Sequence, residues 1–377
     1  MVEWKKLIDV ADILYGYPFE SSLFTEDYSF IPLIRIRDVK PGKASTYYSG
    51  DILDNYIIKK GDILVGMDGE FNLEKWNDRD GLLNQRVLKM SGKENFCKSG
   101  YLYHYMSPIF KKIEKGTAGG SVKHLSAKVI NSITIPIPSL SEQTRIVGIL
   151  DTFISSIENL KQQISERRKQ YEYYRDELLD LEGKEGVEMK IVKEVFDTRN
   201  GYTPSTNNPE FWDNGTLPWF KMEDIRDSGR ILNNSFLHIT PKAVKVKGLF
   251  KANSIILATS ATIGEHALIT VEHLSNQRFT NFYPKKAFED RINMKYVYYY
   301  MYIIDEWCKQ HVNQGGFASV DMSGLYGLKF PLLSLEEQSR IVSILDTFEA
   351  SIANLEAQLK LREKQYVYYR NKLLTFE

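Results

Sequence analysis

Two stretches of this chain are near copies of one another, and that repetition limits the fold more than any other feature. The segment Leu140 to Leu181 returns as Leu335 to Phe376, each position displaced by 195 residues. Each copy must form one structural unit, so a molecule with a pseudo-two-fold internal repeat is expected. The intervening stretches carry fainter traces of the same duplication. Val2-Glu3-Trp4-Lys5 matches Val187-Glu188-Met189-Lys190, and Pro32 with Asp38 matches Pro218 with Asp224, at offsets of 185 and 186. Asn84-Gln85-Arg86 recurs as Asn276-Gln277-Arg278 at an offset of 192, and Tyr101, Tyr103 and Tyr105 recur as Tyr296, Tyr298 and Tyr300 at 195. Small steps in the offset correspond to loop insertions and deletions. The chain therefore reads as a variable region (1–139), a repeat (140–182), a second variable region (183–334) and a second repeat (335–377).

The repeats have the pattern of helical seams. Apolar residues fall at Ile146, Leu150, Phe153, Ile157 and Leu160, and again at Ile341, Leu345, Phe348, Ile352 and Leu355. Alternating steps of four and three keep one stripe of a helix facing a partner. The two seams in one chain most simply pair with each other, antiparallel, as a coiled coil; packing of each seam on its own domain or on another subunit is the alternative. Pro138 with Ser139, and Pro331 with Ser334, supply stop and cap signals. Glu142 and Glu337 follow in the first turn, where the helix dipole favours negative charge. The seam from Ile146 to Leu181 spans about 50 Å at about 1.5 Å per residue. Arg167 and Arg362 interrupt the stripe, either as packed stems with exposed heads or as register-fixing polar residues.

Each variable region begins with short β-patterned runs, such as Ile31 to Val39, Asp62 to Gly66 and Arg86 to Met90. One amphipathic helix follows, Gly100 to Lys115 or Asn293 to Val312. Its tyrosines pack a core or stack on bases, and core packing is their commoner use. The matching strands ending at Val65 and Leu257 lead into unlike loops, Gly66 to Asn72 with two carboxylates, and Ala258 to Gly264 with Thr and Ser. A common scaffold with different loop chemistry suits two readers of different sequences, since carboxylates accept from cytosine, Asn pairs with adenine, and Thr or Ser serve several bases. Divergence of loops without a role is the competing explanation.

Formal net charge is zero, made of +2 in each variable region against −3 and −1 in the repeats. Any DNA-facing charge is therefore local, as at Lys242, Lys245, Lys247 and Lys251. The 43% apolar content suffices for two cores, and no run reaches membrane-span length, so a soluble, cytoplasmic protein is expected. Cys97 and Cys308 are isolated, which supports neither a disulfide nor a zinc site. No phosphate-binding loop, nucleophile elbow or His-Glu-x-x-His motif occurs. Binding and positioning are expected, not catalysis, with no metal site and no cofactor in this chain.

These residues resemble the specificity subunits of type I restriction–modification systems over essentially the whole chain. The marks are the repeated Glu-Gln-x-Arg-Ile-Val-x-Ile-Leu at Glu142 to Leu150 and Glu337 to Leu345, Gly201-Tyr202-Thr203-Pro204-Ser205, Leu217-Pro218-Trp219, and the strand and loop Gly61 to Asn72. The first variable region departs from that pattern with Gly16-Tyr17-Pro18-Phe19, which leaves its half-site open. The resemblance implies an α+β fold: two globular α/β target recognition domains joined by two long antiparallel helices, each domain reading half of a bipartite, asymmetric site in double-stranded DNA. It implies two modification subunits carrying S-adenosylmethionine for adenine-N6 methylation, and restriction subunits using ATP and Mg. Candidate base readers are then Arg35, Arg37, Asp68, Glu70 and Asn72, with Lys123 as a phosphate contact, and Lys221, Ser260, Thr262 and Lys251 in the second domain. Asn84-Gln85-Arg86 and its counterpart recur in both domains, so they are read as scaffold or shared backbone contacts. A coiled-coil scaffold or adaptor without a DNA role is the alternative.

Overall fold

The computed structural model describes residues 2–116, 124–313 and 318–376. It forms two compact units, Met1–Gln162 with Glu356–Glu377, and Gln163–Leu355. The division falls inside both repeats, so each unit contains one variable region and a stretch of each repeat helix.

In the first unit a four-stranded antiparallel sheet runs in the order Ala11–Tyr15, Val87–Gly92, Ile63–Gly66, Leu73–Lys75. A second sheet holds Ile31–Ile34 parallel to Gly81–Leu83. Successive residues of a strand face opposite ways. Ile63 and Val65 accordingly join the core beneath the helix Ser99–Gly116, with Leu102, Met106 and Phe110, while Leu64 joins Ile34, Trp76 and Val87 on the other face. Burial on both faces explains why this strand is a continuous apolar run. In the second unit Ile255 and Leu257 lie in the core that includes Tyr296, Tyr299 and Met301 from the helix Met294–Gln310, and Ile256 and Ala258 lie in the opposite core with Phe220 and Ile269.

The helix tyrosines serve packing. Tyr101 and Tyr296 have no exposed surface, and their hydroxyls donate to the carbonyls of Pro136 (2.8 Å) and Pro331 (3.1 Å). These two acceptors also stand 195 residues apart. Cys97 and Cys308 are core residues whose thiols burial raises to about 12.

The repeat helices are Leu140–Leu179, 40 residues, and Leu335–Leu373, 39 residues. Ser139 and Ser334 hydroxyls accept the Glu142 and Glu337 amides at 3.3 and 3.2 Å, as capping residues do. In the first unit the Phe153 ring stacks on Tyr369 at 5.3 Å, and Lys161 lies 3.9 Å from Glu363. Numbers rising along one helix meet numbers falling along the other, so the pair is antiparallel. In the second unit Tyr174 stacks on Phe348 at 5.4 Å. Arg362 and Arg167 lie over the Phe153 and Phe348 rings, at 5.7 and 5.8 Å. The guanidinium head itself thus lies on an aromatic face as a cation, whereas the first of the two sequence readings has the stem packed and the head in solvent.

Three details differ from the sequence reading. Ile146, Leu150, Ile341 and Leu345 are seated in the cores of the variable regions, so the first turns of each seam anchor the helix to its domain. Inter-helix stacking begins at Phe153 and Phe348; Ile157 and Leu160 are buried and Ile352 and Leu355 half-buried. The run Ile31 to Val39 is a strand that turns into a short helix, Ile36–Val39. The turn is made by the buried Asp38 carboxylate, which accepts the Arg35 amide (2.9 Å) and both the amide and the hydroxyl of Ser45. The second helix ends at Gln310, and Val312–Asn313 pairs with Ser319–Val320 instead.

Candidate nucleic-acid interface

In each unit the same backbone hydrogen bonds gather four segments around the repeated Asn-Gln-Arg turn. In the first unit the Asn84 amide donates to the Ile34 carbonyl just before Arg35, the Tyr17 amide to Leu83, and the Met67 amide to Arg86. The Leu125 amide donates to Met67 and brings in His124. The second unit repeats the scheme: Asn276 to Phe220 just before Lys221, Tyr202 to Ser275, Thr259 to Arg278 and Val320 to Thr259. A Cβ on Gly16 would lie 1.9 Å from the Asn84 carbonyl oxygen, and one on Gly201 would lie 2.2 Å from that of Ser275. Only glycine permits this approach, which explains the Gly-Tyr pair that opens both regions.

The side chains on this shared frame differ. In the first unit Asp68 Oδ1 is 2.5 Å from His124 Nδ1, and its Oδ2 is 3.4 Å from Arg86 Nε. Glu70 accepts from Asn72 Nδ2 (3.0 Å) and faces Lys40 (3.6 Å), and Asn72 Oδ1 accepts from Lys111 (3.0 Å). The Asn72 amide, followed by Lys40 and Lys111, holds the Glu70 carboxyl below its ordinary range. Asp68, Glu70 and Asn72 are thus brought together on one loop. Arg35 opens the neighbouring short helix with its guanidinium over the Phe24 ring (5.7 Å), and Arg37 donates to Thr46 Oγ1 (2.7 Å). Lys123 lies outside the described residues.

In the second unit the loop is uncharged. Ser260 bridges to Ser319, the Thr262 amide donates to Ser260, and Ala261 takes a positive φ of 64° to close the turn. Lys221 occupies the position of Arg35, with its amide on Asp224 (2.7 Å) and its ammonium 3.9 Å from Glu223. Lys251 is not part of this face. It precedes the strand Ser254–Ala258, whereas Ser260 and Thr262 follow it, and five residues at about 3.3 Å each keep the two ends apart. Its ammonium is instead paired with Glu289 at 2.6 Å.

The sequence did not single out His124, which reaches Asp68 across 56 residues, and it read Gln85, Arg86, Gln277 and Arg278 as parts of a scaffold or of shared backbone contacts. These four residues are exposed, while Asn84 beside the first pair is buried. The signal was present in the conserved spacing of the turn from its strand in both halves. Among the described residues no group of His, Cys, Asp or Glu is arranged to hold a metal ion, and no helix is long and apolar enough to cross a membrane.

Two α+β halves, each bringing the same loops to one face of its own unit with unlike side chains, define a duplicated recognition module. The chain belongs to the type I restriction modification DNA specificity domain family, whose model matches residues 1–167 and again 184–362. Within such a system this is the specificity component, not a catalytic one. The chain is 48% identical over 217 residues to the type I restriction enzyme EcoprrI specificity subunit of Escherichia coli, covering 54% of this chain and 53% of that protein. The match therefore spans about half the length of that relative. It is 32% identical to the EcoR124I/EcoR124II specificity subunit of Escherichia coli, over 100% of this chain and 94% of the relative. The crystal structure of a type I restriction-modification S subunit from M. genitalium aligns with a TM-score of 0.59 at 15% identity, covering 100% of this chain and 97% of that one. A structure described for complex assembly and conformational transition of the type I R-M system aligns at 0.60 and 17%, covering 99% and 96%. At these identities the likeness is one of fold.

Proposed function

We propose that each unit reads one half of a bipartite, asymmetric site in double-stranded DNA, and that the repeat helices set the unread gap between the halves. The observation that carries this is the recurrence of one backbone frame in both units with a charged loop, Asp68 to Asn72, in one and a hydroxyl-bearing loop, Ser260 to Thr262, in the other. Base edges in the major groove present distinct donor and acceptor patterns, so one frame with two loop chemistries reads two sequences. The chain would act in the cytoplasm with two modification subunits and with restriction subunits, a reading that its membership of a restriction modification family supports. S-adenosylmethionine, ATP and Mg would be held by those partners.

Methylation mapping of DNA from cells expressing this chain with its modification subunits, against cells lacking the chain, tests the proposal. The expected result is an N6-methyladenine motif with two unlike halves and a fixed gap. Assembly of the subunits without such a motif would overturn it.

A further inference from the structure

The repeated arginines Arg86 and Arg278 invite the conclusion that they do the same thing, and their surroundings say otherwise. Arg86 sits at a positive φ of 71°, which is unusual for a residue with a Cβ, whereas Arg278 has no such backbone. The side chain of Arg86 is 55% exposed, and its Nε lies 3.4 Å from Asp68 Oδ2. Asp68 is held in turn by His124 at 2.5 Å from its other oxygen. A carboxylate that His124 holds in place thus stands on the Nε side of the exposed guanidinium. Nη1 also lies 3.5 Å from His124 Nδ1, so both neighbours bias the direction of the guanidinium. Arg278 is exposed too, but its counterpart loop has Ser260 and Thr262 in place of a carboxylate, and no ion pair is made to it among the described residues.

We infer that Arg86, oriented by Asp68, reads a guanine in the first half-site, and that Arg278 makes a sequence-indifferent phosphate contact in the second. The inference rests on the proposed DNA-reading function and assigns unlike roles to one repeated residue. Two parallel N–H donors on an oriented guanidinium match guanine O6 and N7, and orienting them beforehand lowers the ordering cost of a long side chain. An arginine without such a partner meets phosphate as a mobile cation, which adds affinity but no sequence information. Asp68 is then a positioning residue rather than a base reader, and Glu70 and Asn72, paired with each other and with Lys40 and Lys111, stand beside it.

The test is binding selection by the complex of the full chain with its modification subunits, from DNA libraries in which one half-site is randomised. In the unsubstituted complex the first half-site should contain a guanine. R86A should reduce the preference at that one base pair by roughly 5- to 150-fold, the discrimination of one bidentate contact. D68N should weaken preference at the same pair, and R278A should lower affinity for all sequences alike with a shallower salt dependence. If the unsubstituted complex selects no bipartite site, the proposed function itself fails. If it selects one and R86A leaves the first half-site unchanged or weakens every sequence equally, only this inference is overturned. A first half-site without guanine, or a changed second motif with R278A, overturns it as well. Thermal melting guards the D68N arm against misfolding, and R86A, on an exposed side chain, decides the matter alone if D68N does not fold.

Discussion

Gln143 has no exposed surface, and its amide accepts from the Lys98 N–H (2.8 Å) and donates to the carbonyls of Phe96 and Pro138 (2.9 Å each). Gln338 makes the same three bonds with Asn293, Arg291 and Leu333. Both tie the first turn of a repeat helix to the segment that launches the domain helix. Gln143→Ala would strand the carbonyl of the buried Pro138 and remove the side-chain partner of the Lys98 amide and the Phe96 carbonyl, which belong to exposed residues. At about 1–3 kcal/mol for a buried unsatisfied group, a loss of about 1–3 kcal/mol is expected in urea unfolding. The exposed Glu142–Arg145 pair beside it contributes little. Repetition of Glu-Gln made this position visible in the sequence, but the charge drew attention to Glu142, because a buried amide's partners are set by tertiary structure. His273 gives a second residue-level test. Burial among Phe220 and Phe250 pushes its imidazole down to about 4, against about 6.5 in the unfolded chain. Above about pH 6.5 both states are neutral and stability is full. Between about 6.5 and 4 the unfolded chain takes up a proton that the folded chain refuses, so about 3 kcal/mol is lost in total as pH falls. Unfolding free energies measured from pH 7.5 to 4 should show this slope, and His273→Gln should flatten it.

At the scale of elements, the energetic division within the repeat helices is unequal. Leu150 and Leu345 are fully buried in the cores of their units, so Leu150→Ala or Leu345→Ala should cost about 2–5 kcal/mol. Arg362 lies half-exposed over Phe153, and Arg362→Leu should change stability by no more than about 1 kcal/mol and leave the oligomeric state unaltered, as read by light scattering. A large loss or a new oligomer would mean that the charge fixes register after all. The helices were legible from the sequence because their signals are local: a proline stop, a serine cap and a 3.5-residue stripe. The stripe could not show that its first two positions belong to the domain core, since periodicity marks a face without naming what covers it. For the same reason Asp62 to Gly66 was readable as a strand, whereas the turn from Ile34 into a short helix depended on Asp38 meeting Ser45. The candidate face was half legible. Asp68, Glu70 and Asn72 follow directly from a readable strand, but Lys251 was assigned to them although it stands at the other end of an equivalent strand, and His124 is joined to Asp68 only by the fold.

For the whole molecule, the compact units meet in sequence at Gln162 and Gln163 on one helix and at Leu355 and Glu356 on the other. Seven residues inserted at both points, in heptad register, add about 10 Å of helix, or about three base pairs of duplex. Methylation mapping should then report a gap longer by about three base pairs with both half-sites unchanged; an unchanged gap would remove the helices from that role. The composition of the first unit has another consequence. Its core is closed by Tyr366, Leu373, Leu374 and Phe376, and its buried His104 lies 3.0 Å from the Tyr366 hydroxyl, more than 260 residues downstream. The second unit, by contrast, is made of one continuous stretch. During synthesis the half that leaves the ribosome first therefore cannot be completed until the other half has been made. The domain that begins the chain finishes folding last.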